Sequence, residues 1–180
     1  MPGIHEIDEK KVRSYELSVY SDKAAAQGDL DQAAELMRQA AALNRTYEIR
    51  AKFVGSADSR RVRVTATIRR LLLPPILDAG FSTHPDGPWA EGRVLQRTRG
   101  PFTHSLLLGR HKFGKSLGVM ASRHSVDTGA AHFDWRHLNF RSGQLAYRTQ
   151  AELESVCMTW LELLQTFVFP WFDAGAEGDV

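Results

Sequence analysis

The chain has 180 residues and a formal net charge of +2, with 43% hydrophobic and 24% charged residues and a mean hydropathy of −0.32. This is the balance of a soluble globular protein of one domain plus an appendage, long enough to fold without disulfides. The single cysteine, Cys157, excludes an internal disulfide, and neither a membrane-spanning apolar run nor a signal-type start is found in the acidic opening stretch, so the expected setting is the cytoplasm with no membrane partner.

A first helix is expected over residues 8–26, with Val12, Tyr15 and Val19 at helical spacing. Gly28 breaks it, and Asp29 offers a carboxylate to cap a second helix. That helix carries the narrow stripe Leu30, Ala33, Ala34, Met37, Ala40 and Ala41. Together they predict an αα-hairpin with a small-residue seam as a first domain, residues 1–48. The run AAAQGDLDQAAELMRQAAALN resembles one tetratricopeptide-type helix pair. Such arrays bury a core only when about three units stack, so a lone pair must dock on something else.

Residues 49–180 are expected to form an α+β domain. A helix over 59–73 precedes a bend at Pro74 and Pro75 and a last turn stopped by Gly80. Short runs at 94–97, 102–108, 117–122 and 131–140 then read as antiparallel strands. Thr149 and Glu152 make a capping box, in which each side chain satisfies the other residue's backbone N–H. Leu153, Val156, Cys157, Trp160, Leu164, Phe167 and Val168 hold one face of the last helix, which Pro170 is expected to end. The fold class is therefore α+β: an antiparallel meander of about four strands, covered by helices on one face, with an N-terminal αα-hairpin. LLLPPILDAGF, VLQRTRG, FTHSLLLG, SLGVMAS and the closing FPWFD resemble the bacterial domain-of-unknown-function family 4304 over about residues 58–174. The resemblance implies a helix closing on Gly80-Phe81, a meander and a final Pro-containing helix; it implies no activity.

Charge is spread unevenly. Residues 1–48 carry six Lys/Arg against nine Asp/Glu, residues 49–148 carry 17 against six, and residues 149–180 carry none against six. The acidic ends either neutralise the basic middle or leave it open to an anionic partner. Arg93, Arg97, Arg99, Arg110, Lys112 and Lys115 are the residues expected to form such an anion- or nucleic-acid-binding face. Gly109, Gly114, Lys115 and Ser116 also satisfy the P-loop pattern G-x-x-x-x-G-K-[ST]. A P-loop must open a helix after its Ser, whereas the run after Ser116 reads as a strand, so a basic hairpin tip is preferred and nucleotide binding is the alternative.

The histidines at 84, 104, 111, 124, 132 and 137 fall at none of the spacings that place two rings on one face, so no metal site is expected. Ser122, His124 and Asp127 have the residue types of a hydrolase triad but crowd one strand end, without a G-x-S-x-G elbow. Phe133 and Trp135 are expected inward on a strand, and Cys157 as a buried, inert thiol. No catalytic residue and no cofactor is assigned. The expected function is a non-enzymatic cytoplasmic protein-interaction protein of immunity, antitoxin or adaptor type, an analogy with small bacterial proteins. Its partner is another protein or a second copy of the chain; the alternative is a nucleic-acid- or anionic-ligand-binding module using the basic hairpin.

Overall fold

Contacts divide the chain into two compact units, Met1–Ala57 with Trp135–Leu145, and Asp58–Asp134 with Ala146–Val180. The computed structural model describes residues 8–55, 61–83, 92–110, 115–140 and 143–174. The N-terminal unit thus runs past the boundary expected after residue 48 and recruits a segment from far along the sequence.

That unit is built on the expected hairpin. Asp8 caps α1 (Glu9–Ala26) by accepting the Lys11 N–H at 3.2 Å, and Asp29 caps α2 (Leu30–Leu43) through the Gln32 N–H at 3.0 Å. Gly28 makes the turn between them at φ +86°, a conformation that costs glycine nothing. The face of α1 that is buried is not the expected one. Ser14, Leu17, Ser18, Ser21 and Ala24 are buried, while Val12 and Tyr15 are exposed. The reason is the seam, to which α2 contributes Ala33, Met37 and Ala40, all fully buried. Serine is small enough for that close approach and tyrosine is not. Each serine hydroxyl also donates to a carbonyl: Ser14 to Lys11 at 2.9 Å, Ser18 to Tyr15 at 2.8 Å, and Ser21 across to Ala33 at 2.7 Å. Burial therefore leaves none of these three serine hydroxyls unsatisfied.

Asn44 ends α2 and turns the chain through a 3₁₀ turn (Arg45–Tyr47) into α3 (Glu48–Phe53). The returning segment meets this corner. The Arg45 N–H donates to the Asn139 carbonyl at 3.0 Å, the Arg45 guanidinium lies 5.0 Å from the centre of the Phe140 ring, and Trp135 meets Phe140 edge-on. The strand expected over 131–140 is accordingly cut short after its first two residues. Strand pairing stops at His132, Trp135–Leu138 is a 3₁₀ turn, and Asn139 adopts φ +63°, which no strand tolerates.

The second unit holds the sheet. Strands β1 (Ser82–Thr83), β2 (Gly92–Arg99), β3 (Phe102–Arg110), β4 (Ser116–Ser125) and β5 (Gly129–His132) form an antiparallel meander, each paired with the next. A short β6 (Gln144–Ala146) carries the chain back into this unit. Side chains alternate between the two faces, so Leu95, Leu106 and Ala121 share one buried row and Leu108 and Val119 another. On the opposite face Met120 is 59% exposed. Helices cover the buried face, tied down by the Trp160 indole N–H, which donates to the Leu117 carbonyl at 2.9 Å.

Two helical stretches of this unit pass through prolines that were expected to bend or end them. The first joins α4 (Val64–Thr67), a π-turn (Ile68–Leu72) and α5 (Leu73–Asp78), across Pro74 and Pro75. The second joins α6 (Gln150–Leu163), a π-turn (Leu164–Val168) and α7 (Phe169–Ala174), across Pro170. In each, the residue before the first proline donates five residues back, Leu73 to Ile68 and Phe169 to Leu164. The wider turn makes room for a ring that would clash with the preceding α-turn. The extra residue also rotates the buried face: Phe167 is 38% exposed, and Phe172 enters the core in its place. The expected capping box at Thr149 and Glu152 is present.

Candidate functional site

The residues expected to form one basic face are separated by the length of the sheet. Arg97 sits opposite His104, near the tight turn joining β2 to β3, and Arg99 lies next to that turn. Arg110 and Lys115 lie at the other end, where β3 passes to β4. The six residue steps along β3 from His104 to Arg110 span about 20 Å at ~3.3 Å per residue. Arg93 pairs with Leu108 in the ladder, and Lys112 lies outside the described residues.

Arg97 and Arg99 belong instead to a cluster that the register assembles. Arg97, His104 and Arg123 are directly opposed across β2, β3 and β4, on the face that is buried. The Arg97 guanidinium is fully engaged: Nε donates to His104 Nδ1 at 3.1 Å, one NH₂ to the Ala79 carbonyl at 3.1 Å, and the other to Asp173 at 2.6 Å. It also lies 4.9 Å from the centre of the Phe81 ring. Arg99 reaches the same Asp173 oxygen at 2.6 Å. Arg123 donates to the Trp171 carbonyl at 3.3 Å and lies over the Trp171 ring. His104 is fully buried and stacked on Phe172, with ring centres 4.5 Å apart and planes within 11°.

Because Nδ1 accepts from Arg97, the imidazole proton is carried on Nε2, which has no partner among the described residues. Burial, reinforced by the charge of Arg97, holds the His104 pKa down to about 4, so the ring is neutral and a weak base at pH 7. Three arginines against one aspartate leave an excess of two positive charges here. Chemically the cluster is a clamp: it fastens α7 to the sheet through Asp173, Trp171 and Phe172.

Gly109 pairs with Gly118, and Ser116 opens β4, antiparallel to β3; a P-loop's Ser would open a helix. Gly114, His84 and His111 lie outside the described residues. Ser122 and His124 stand on β4, and the Asp127 N–H donates to Ser125 Oγ in a turn; no hydrogen bond joins Ser122, His124 and Asp127 among the described residues. No group of three or more His, Cys, Asp or Glu side chains that could hold a metal occurs among the described residues. Phe133 and Trp135 are both buried, Phe133 edge-on to Trp171 and Trp135 against Phe140. Cys157 is buried, and burial together with the nearby charge of Glu154 pushes its thiol up to about 12.

One signal of the cluster was readable in advance: His104 is in phase with Phe102, Leu106 and Leu108, the buried positions of β3. Its partners were not, since Arg97, Arg123 and Asp173 meet it only through strand register and the π-turned helix. Compared with family models, with curated proteins and with solved structures, the chain gives no match in any of the three. The fold itself defines the class: an α+β protein pairing a helix-hairpin unit with a helix-covered antiparallel meander. No described helix is long and apolar enough to cross a membrane.

Proposed function

We propose that this chain is a non-enzymatic, cytoplasmic protein-interaction protein of adaptor or antitoxin type, which docks its partner on the outer face of α1. The observation that carries this reading is the inverted burial of that helix. Its serine-lined face packs on α2, which leaves Val12 44%, Tyr15 63% and Tyr20 50% exposed, with half-buried Val19 between them. Val12, Tyr15 and Val19 form one stripe at helical spacing, and Tyr20 borders it. Aliphatic and aromatic side chains presented together on a rigid helix suit a partner's apolar groove, where tyrosine is a favoured anchor. A photo-cross-linking phenylalanine at position 15, compared in native lysate with one at exposed Gln39, tests it. One discrete adduct from position 15 alone, lost in Val12→Asp/Tyr20→Glu, is expected; equal adducts from both positions, or none, reject it. An adduct of twice the chain's mass identifies a second copy as the partner.

A second reading has its own observation. Arg110 and Lys115 are exposed where β3 passes to β4, as a basic hairpin that binds nucleic acid or another anion requires. Weak binding of a single-stranded oligonucleotide should then fall steeply with salt. Removing these two cations should flatten the slope of log K against log salt by about 1–2. An unchanged slope assigns that binding elsewhere.

A further inference from the structure

The second unit contains a solvent-open cavity of about 520 Å³, lined by Arg61, Arg63, Thr67, Arg70, Gln150 and Glu154. Its floor is already hydrogen-bonded. Gln150, nearly buried, donates to Thr67 Oγ1 at 2.8 Å and to Glu154 at 3.0 Å, and its carbonyl accepts the Arg63 N–H at 2.9 Å. The Thr67 hydroxyl donates to the Arg63 carbonyl at 2.8 Å. Both backbone groups of Arg63 are thereby pinned, one by α6 and one by α4, and its Cα is held at the rim. Glu154, the acid in this lining, accepts from Arg70 at 2.8 Å, which balances one of the three cations. The guanidinium groups of Arg61 and Arg63 have no hydrogen-bond or acidic partner among the described residues.

We propose that this cavity binds the phosphate group of a small phosphate monoester, held between Arg61 and Arg63 with Arg70 alongside. Two uncompensated cations match the charge of −1.5 to −2 that a phosphate monoester carries near pH 7. The guanidinium fork fits tetrahedral phosphate oxygens in pairs. The size selects a small molecule: about 520 Å³ lies within the range of metabolite pockets. A polymer backbone is tracked by a stripe of cations, whereas these converge on one concavity. This site lies in the other unit from the α1 face, so the two proposals stand or fall separately.

The test is calorimetric titration of the full-length chain with glucose 6-phosphate and with AMP, against glucose and adenosine. Both monoesters should bind and both unphosphorylated controls should not. Arg61→Ala/Arg63→Ala should weaken binding by about tenfold or more, with the circular dichroism and melting curve unchanged because both side chains are exposed. Glu154→Gln gives an independent arm, since removing the one negative charge should tighten binding several-fold. No heat from either monoester at about 5 mM, affinity unaffected by the double substitution, or weaker binding in Glu154→Gln would each overturn the proposal. A single-stranded oligonucleotide that binds more tightly than both monoesters, and is lost in the double variant, would overturn it in favour of nucleic acid.

Discussion

His104 is the residue on which the second unit's polar chemistry converges. It is buried and neutral, accepts from Arg97, is stacked on Phe172, and faces the charges of Arg97, Arg99, Arg123 and Asp173. Its pKa lies near 4 in the folded chain against an ordinary 6.5, so the unfolded chain takes up the proton first as pH falls. Its share of stability is complete above pH 6.5 and is lost progressively between 6.5 and 4, by at most about 3 kcal/mol. His104→Asn, whose amide oxygen can replace Nδ1 as acceptor, should remove that component. Urea midpoints of wild type and variant that fell in parallel across this window would show that the ring is not held neutral. Asp173 serves both Arg97 and Arg99. Asp173→Asn should therefore cost about 1–2 kcal/mol, a figure kept low because the carboxylate is partly exposed.

At the scale of elements, the two π-turns decide which side chains are core. Leu164 is fully buried and Phe167 is 38% exposed, although an unbroken α-helical stripe would bury both. Leu164→Ala should cost about 2–5 kcal/mol in chemical denaturation. Phe167→Ala should cost less than about 1 kcal/mol. Equal losses at both positions would mean that the helix keeps α-register through Pro170. On the same helix Cys157 faces the core, with its thiol pushed up to about 12 by burial. A thiol reagent should label it only at the rate of unfolding; rapid labelling of the native chain would place it at the surface.

At the scale of the whole molecule, the N-terminal unit is discontinuous. Asn139 and Phe140 are held by Ala42 and Arg45, and Trp135 packs edge-on against Phe140. Deleting residues 1–48 removes those partners, so the remaining fragment should bind a hydrophobic dye and lose its sharp melting transition. A fragment that melted like the full chain would show that residues 135–145 fold without the hairpin. The charge segregation finds a partial account within the second unit. The acidic C-terminal stretch meets the basic middle through Asp173 with Arg97 and Arg99, and through Glu154 with Arg70.

What the sequence determined by itself was local. Asp8, Asp29 and the Thr149–Glu152 box cap their helices because a cap needs only residues within one turn. The runs at β2, β3 and β4 were legible from their length and β-branched or aromatic content, because such side chains fit a pleated, half-buried surface. Tertiary structure decided what depends on neighbours distant in sequence. Steric fit at the α2 seam chose serine over tyrosine as the buried face of α1, against the hydrophobic pattern. The π-turns, which relieve the clash of each proline ring, rotated Phe167 out and Phe172 in. Antiparallel register brought Arg97, His104 and Arg123 into one row and carried Arg110 and Lys115 to the far end of the sheet, so a charge run that is contiguous in sequence is divided in space.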